Sequence, residues 1–221
     1  ALPFGWGSIN AQSYILKTVQ DNPLISARDL ARSVVQQALL HDGYTPKDDI
    51  TCGVIYFRNP RDMLVLTGPP LHPESDVEIA RRFSLFDGKK IVCGGTTANI
   101  ISRELNRPVK VILKNFDPKV PPASEMEGAD MVTEGIITMG AVSEILEKGA
   151  DTEHMPPNPA TRIVDMFLDS DRIHFIVGTK INEAHQDPNM PVELEIRRNV
   201  IKKIASLLES KYLKEVNIDY F

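Results

Sequence analysis

Lys89-Lys-Ile-Val-Cys-Gly-Gly-Thr-Thr-Ala-Asn-Ile-Ile-Ser-Arg103 decides the fold. A short β-branched run, Ile91 to Cys93, stops at Gly94-Gly95. Thr96 and Thr97 come next, and Ile100, Ile101 and Leu105 then recur at helical spacing. A strand that ends in glycines and opens into a helix leaves free backbone N–H groups at a positive helix end, which suits an anion. The spacing is neither Gly-x-Gly-x-x-Gly nor the Lys-Ser/Thr P-loop, so phosphate and carboxylate both stay open. A tight turn after a buried strand uses the same glycines.

Outward from this stretch the same alternation repeats. Strands are expected at Met63–Thr67, Val109–Leu113, Asp130–Thr133, Arg172–Val177 and Glu215–Ile218. Helices are expected at Glu74–Phe86, from Gly135 through Lys148, from Pro159 to Leu168 with Asn158 as cap, and at Val192–Tyr212. Asn115–Gly128, with Glu125 and Glu127, reads as a Pro-rich loop, and 149–158 as a second. This order predicts an α/β fold: a Rossmann-like, mostly parallel sheet with helices on both faces.

The first 59 residues read differently. Helical patterns span Asn10–Val19 and the segment after Ser26, whose partner three residues on is Asp29. Lys47-Asp-Asp-Ile-Thr-Cys-Gly-Val-Ile-Tyr-Phe57 reads as a polar pair running into a strand. Arg58-Asn-Pro-Arg-Asp62 marks a boundary, giving domains at 1–59 and 60–221. The start at Ala1-Leu-Pro-Phe-Gly-Trp-Gly7, inside a Gly/aromatic turn, reads as a cut end.

The bulk numbers bound the partners. Of 221 residues, 42% are hydrophobic and 25% charged, as in ordinary globular chains. A net charge of −5 argues against nucleic acid or an anionic membrane surface as main partner. No apolar run approaches the roughly 20 residues that span a bilayer. Cys52 and Cys93, each in an expected buried strand, read as reduced core thiols of a cytosolic protein.

Two constellations could carry chemistry. The pair Asp48-Asp49 at the head of a strand could hold a hard cation such as Mg²⁺ or Mn²⁺, although only one carboxylate can point to a given face. The second is distributed over four strand ends: Thr67-Gly-Pro-Pro70, Cys93-Gly-Gly-Thr-Thr97, Thr133-Glu-Gly135 and Gly178-Thr-Lys-Ile-Asn182. Ligands of open α/β sheets bind beyond the carboxyl ends of the strands. Gly94, Gly95, Thr96 and Thr97 would hold a small anion, Lys180 could neutralise it, and Glu134 or Asn99 could fix a polar group. Such loops are also rich in Gly and Thr because turns and caps need them. His174 in a strand, His185 in a loop and Lys202-Lys203 on a helix face read as solvated or satisfied positions.

An apolar helix, a turn, Asp48-Asp-Ile-Thr51 and a hydrophobic strand resemble the end of the type 2C metal-dependent protein phosphatase fold. More narrowly, the segment resembles the stage II sporulation protein E family of bacterial serine phosphatases. In some members of that family, a stretch similar to Leu2-Pro-Phe-Gly-Trp-Gly7 comes directly after the Ser-Asp-Gly-Val/Ile-Thr motif. The resemblance implies that Asp48 is a ligand of a two-metal centre loaded with Mn²⁺ or Mg²⁺. It implies that Asp49 is its Asp-or-Asn neighbour and that the parent acts on a phosphoprotein. It covers about the first 59 residues only, and the family's upstream Asp-Gly motifs are not in this chain. One carboxylate cannot hold two ions and a bridging hydroxide. The chain is therefore expected to be inactive alone, as the C-terminal part of a phosphatase with an appended regulatory α/β domain.

Two other readings stand beside it: a sensor module that binds a small anionic molecule or a nucleotide without catalysis, and a small-molecule enzyme using Glu134 or His185 as acid or base. Exposed strand edges in the first 59 residues would favour a homodimer.

Overall fold

The structure, a computed structural model, describes residues 5–112, 120–152, 154–180 and 192–221. The expected His185 and Asn182 positions lie outside the described residues. The chain divides into two compact units, Ala1–Asn59 and Pro60–Phe221.

In the first unit, α1 (Ser8–Asp21) and α2 (Ala27–His41) form a helical pair. Ser26 caps α2: its Oγ accepts the Asp29 N–H at 3.0 Å and donates to the Asp29 carboxylate at 2.6 Å. The Trp6 ring stacks on His41 at 5.5 Å and meets Tyr14 edge-on.

The strand expected after Asp48-Asp49 does not form. Residues 50–61 have no regular secondary structure, and Cys52 is half-buried where a core position was expected. A strand needs a neighbour for its N–H and C=O groups. The described residues of this unit contain no strand that could supply one. The β-branched and aromatic run thus stays open, with Ile55 83% and Phe57 89% exposed.

The second unit is an α/β structure built on a mixed, mostly parallel sheet. Its elements are β1 (Asp62–Thr67), α3 (Asp76–Leu85), β2 (Lys89–Cys93), α4 (Gly95–Leu105), β3 (Lys110–Val111), β4 (Ser124–Glu125) and β5 (Met131–Thr133). They continue with α5 (Ile136–Glu147), α6 (Pro159–Asp169), β6 (Arg172–Val177), α7 (Val192–Tyr212) and β7 (Glu215–Tyr220). The strand order is β3-β4-β5-β2-β1-β6-β7. Strands β5, β2, β1, β6 and β7 run parallel, while β4 pairs antiparallel with both β3 and β5.

Two expectations are corrected at that antiparallel edge. Among the described residues, the strand read over Val109–Leu113 is Lys110–Val111, and part of the loop read over Asn115–Gly128 pairs as β4. The described sheet edge supplies a two-residue partner there, and Val111 is exposed among the described residues.

Alternation along β1 explains the layers. Met63 and Val65 point to one face, Leu64 and Leu66 to the other, and all four are buried. The first face packs with Ile91, Phe175 and Val177 against Met139, Leu146, Ile163, Phe167, Ile204 and Leu208 of α5, α6 and α7. The second packs with Val92 and Ile176 against Ile79, Phe83 and Ile101 of α3 and α4. Asn158 starts α6 by accepting the Thr161 N–H at 3.0 Å, with Pro159 at the first helical position. The connections after β1 and β2 therefore cover one face, and those after β5 and β6 cover the other. A crevice opens at the carboxyl ends of strands where connections part in this way. No helix among the described residues is long and apolar enough to cross a membrane.

Candidate functional site

Register aligns the carboxyl ends. Thr133 pairs with Cys93, Cys93 with Thr67, and Thr67 with Val177. The next residues along these four strands are Glu134, Gly94, Gly68 and Gly178. Three adjacent strands thus end in glycine at one level, and the shelf they form carries no side chain of its own. Gly94 (φ +110°) and Gly68 (φ +81°) lie where L side chains are strained. Gly178 is fixed by proximity: a Cβ there would fall 2.1 Å from the Pro69 carbonyl oxygen.

The β2–α4 turn is the most distinctive part of the shelf. Gly94 N–H donates to Thr133 O at 2.8 Å, so the ladder runs one residue past the strand. The first intrahelical bond of α4 runs from Ala98 N–H to Gly94 O at 2.9 Å. The amides of Gly95, Thr96 and Thr97 therefore have no acceptor within the helix. Gly95 and Thr96 are exposed, as is Asn99 one turn further on. A Cβ added at Gly95 would meet nothing within 4 Å, and its backbone is in no strained region. Folding alone does not require glycine there; a ligand approaching the backbone would.

Thr97 is 3% exposed, and its buried Oγ1 has no hydrogen-bond partner. A Cβ on Gly94 would sit 3.6 Å from that oxygen, which places the orphan hydroxyl under the turn. An unpaired buried hydroxyl costs roughly 1–3 kcal/mol. The neighbouring β5–α5 turn repeats the arrangement. Gly135 precedes α5, and Thr138, fully buried at the same helical position, also has no partner for its Oγ1. The turns touch, since a Cβ on Gly135 would lie 3.5 Å from Gly94 Cα. Exposed Glu134 directly precedes Gly135 in the β5–α5 turn.

Cys93 beneath the shelf is a packing residue. Burial, outweighing a hydrogen bond donated by Thr133 at 3.5 Å, pushes its thiol up to about 12. Its Sγ lies 3.7 Å from Met139 Sδ. A thiol so held is not a nucleophile near neutral pH.

The structure brings Gly94, Gly95, Thr96, Thr97, Asn99 and Glu134 to adjacent turns. Lys180 follows β6, and its backbone N–H donates to Pro69 O at 3.2 Å, just past the end of β1, the strand beside β2. Arg197 of α7 went unnoticed in the sequence, and it lies over the shelf. Its Nη1 is 2.6 Å from where a Gly68 Cβ would be and donates to Gly178 O at 3.4 Å. The repeated spacing Gly94-x-x-Thr97 and Gly135-x-x-Thr138 was a legible signal for the paired turns. Arg197 gave none, because its helix face depends on packing.

Asp48 lies in a bend and Asp49 directly after it, both exposed, with Asp48 Oδ1 accepting the Asp49 N–H at 2.8 Å. An open cleft of the first unit is lined by Trp6, Ser8, Asp42, Asp49 and Thr51. No group of three or more His, Cys, Asp or Glu among the described residues is placed to hold a metal ion. The pair by itself does not fit a two-ion centre.

No protein-family model matches the chain, and no curated protein matches it. Two solved structures show a distant likeness. One, phenylacrylic acid decarboxylase from Aquifex aeolicus, is 11% identical with a TM-score of 0.25, covering 72% of this chain and 81% of that one. The other, an uncharacterized protein from Alicyclobacillus acidocaldarius, is 13% identical with a TM-score of 0.26, covering 73% and 72%. Likenesses of this size carry no argument about this chain.

Proposed function

We propose that Pro60–Phe221 is a Rossmann-like binding module that takes a small anionic ligand at the Gly94–Thr97 turn. One observation carries the reading. Three amides without intrahelical acceptors open beside a glycine that the backbone does not need, above a buried hydroxyl with no partner. Beneath the shelf the Cys93 thiol is held protonated by burial, which leaves it out of any chemistry there near neutral pH. Inorganic phosphate or a phosphorylated small molecule should raise the melting temperature of the chain. Thr97→Val and Gly95→Val should abolish the rise. A rise unchanged in both variants would place the ligand elsewhere.

We further propose, from the resemblance of Asp48-Asp-Ile-Thr51, that the chain is the C-terminal part of a bacterial metal-dependent protein serine phosphatase. The binding module would then regulate the attached phosphatase. Asp48 would serve a Mn²⁺ or Mg²⁺ centre, with Asp49 beside it, once further carboxylates are supplied. Mn²⁺-dependent phosphatase activity should be absent from this chain. Activity that Asp48→Ala removes would mean that the centre is complete within these residues. The second reading is a stand-alone sensor with no catalysis of its own. It is favoured by the open run through Ile55 and Phe57 only if that run proves to pair with something other than a phosphatase sheet.

A further inference from the structure

We infer that the β2–α4 and β5–α5 turns form one two-part site, and that the site takes a diphosphate, with one phosphoryl group on each turn. This rests on the reading of the Gly94–Thr97 turn as an anion site and extends it to a second turn and a ligand class.

The second turn repeats the first in each respect that matters to an anion. The first intrahelical bond of α5 runs from Met139 N–H to Gly135 O at 3.2 Å. The amides of Ile136, Ile137 and Thr138 therefore have no acceptor within the helix, as those of Gly95, Thr96 and Thr97 have none in α4. Thr138 is the third residue of α5, and Thr97 is the third of α4. Both are buried, and neither Oγ1 has a hydrogen-bond partner. Side chains on a helix lean toward its N-terminus, so each hydroxyl is carried back toward its own turn. A buried hydroxyl without a partner costs stability that a valine of the same shape would not. A ligand accounts for that cost being met twice, at the same position of two touching turns.

Contact between the turns makes them one place. Strands β2 and β5 are neighbours, with Cys93 level with Thr133. A Cβ at Gly135 would lie 3.5 Å from Gly94 Cα and 3.8 Å from Gly94 N, so the two backbones meet with no side chain between them. Helix α4 packs on the Leu64 and Leu66 face of the sheet and α5 on the Met63 and Val65 face. The two sets of amides thus start together and then diverge. The donor count selects the ligand. Three amides and a hydroxyl in one turn already match the terminal oxygens of one phosphoryl group. The second turn, with its own amides and hydroxyl, calls for a second such group, and the contact requires the two to be linked. Ile137 is 57% exposed, which leaves the second turn open to solvent. Glu134 is a like charge close by, but it is exposed, so water and salt screen its repulsion.

The test is a titration of the full chain with inorganic phosphate, with pyrophosphate and with ADP, monitored by amide NMR. Pyrophosphate should shift the amides of residues 95 to 97 and 136 to 138 together, saturating at one concentration, and should bind at least about tenfold more tightly than phosphate. Thr138→Val, which keeps the shape, should weaken pyrophosphate about tenfold and change phosphate by less than about twofold. Thr138→Ser, which keeps the hydroxyl, should bind pyrophosphate like the parent. ADP separates the two sources of a diphosphate: binding as tight as that of pyrophosphate assigns the site to an ester, and weaker binding assigns it to the free ion. If pyrophosphate shifts residues 95 to 97 but not 136 to 138, or shifts the two sets at different concentrations, the two-part site fails and the first turn survives. Thr138→Val binding pyrophosphate like the parent would overturn it as well. If residues 95 to 97 shift with none of the three, the first turn itself is not an anion site.

Discussion

Gly178 and Pro69 approach so closely that a Cβ at Gly178 would lie 2.1 Å from the Pro69 carbonyl oxygen and 2.3 Å from that of Gly68. The ends of β1 and β6 are thereby locked, and Gly178 N–H on Thr67 O at 2.8 Å closes the contact. Gly178→Ala must push two backbones apart, so it should cost at least about 2 kcal/mol. Urea unfolding of the variant beside the parent measures this. An unchanged midpoint would mean that the strand ends can separate freely.

Thr97→Val should separate stability from binding. The swap keeps the shape and removes a buried hydroxyl that has no partner. The unliganded protein should gain roughly 1 kcal/mol, since an unsatisfied polar group is no longer desolvated. Phosphate should no longer stabilise it. A variant that loses stability would reveal a hydrogen bond to Thr97 in solution.

The two thiols should react at very different rates. Cys93 is fully buried with its pKa raised, whereas Cys52 is half-buried in a segment without regular structure. A disulfide reagent at neutral pH should label one thiol promptly, and mass mapping should find it on Cys52. Cys93 should become reactive only with unfolding. Because its pKa is raised in the folded state, the stability linked to it is fully present below its unfolded pKa of about 9. That stability should be lost as pH climbs toward about 12. Early labelling of Cys93 would contradict the packing under the shelf.

At the opposite end of the sheet, Arg172 clasps Asp62 with two bonds of 2.6 Å, and His174 lies 3.4 Å from the same carboxylate. The hydrogen bonds from Arg172 hold the Asp62 carboxyl below its usual range, against the opposing effect of burial. A depressed pKa gives stability that is present above the unfolded value near 4 and is lost as pH falls through the folded value. The pair is partly solvated, so Asp62→Asn should cost no more than about 1 kcal/mol at neutral pH. It should cost nothing in strong acid. An equal loss at both pH values would make the effect one of packing.

The parallel core was legible because its strands are short apolar runs between helical patterns, each ended by Gly, Pro or Asp. Met63–Thr67, Ile91–Cys93 and Arg172–Val177 are such runs, and all three are central strands. The capping signals at Ser26 and Asn158 also read directly, since each acts within three residues of itself. Failures came where structure depends on a partner far along the chain. The run through Ile55 and Phe57 has strand composition but no neighbour in its unit. Ser124–Glu125 has loop composition but pairs because β5 offers an edge. Site residues on the β2–α4 and β5–α5 turns were visible as a local pattern. Arg197 was not, because only the folded sheet brings Gly68 under its guanidinium.

The most direct measurement is amide NMR of Gly95→Val against the parent during a phosphate titration. A Cβ at position 95 meets nothing within 4 Å, so the fold should persist while the side chain fills space over the amides. Saturable shifts at Gly95, Thr96 and Thr97 in the parent, and none at positions 95 to 97 in a folded variant, are the predicted result. Equal shifts in both proteins, or none in the parent, would contradict an anion site at this turn.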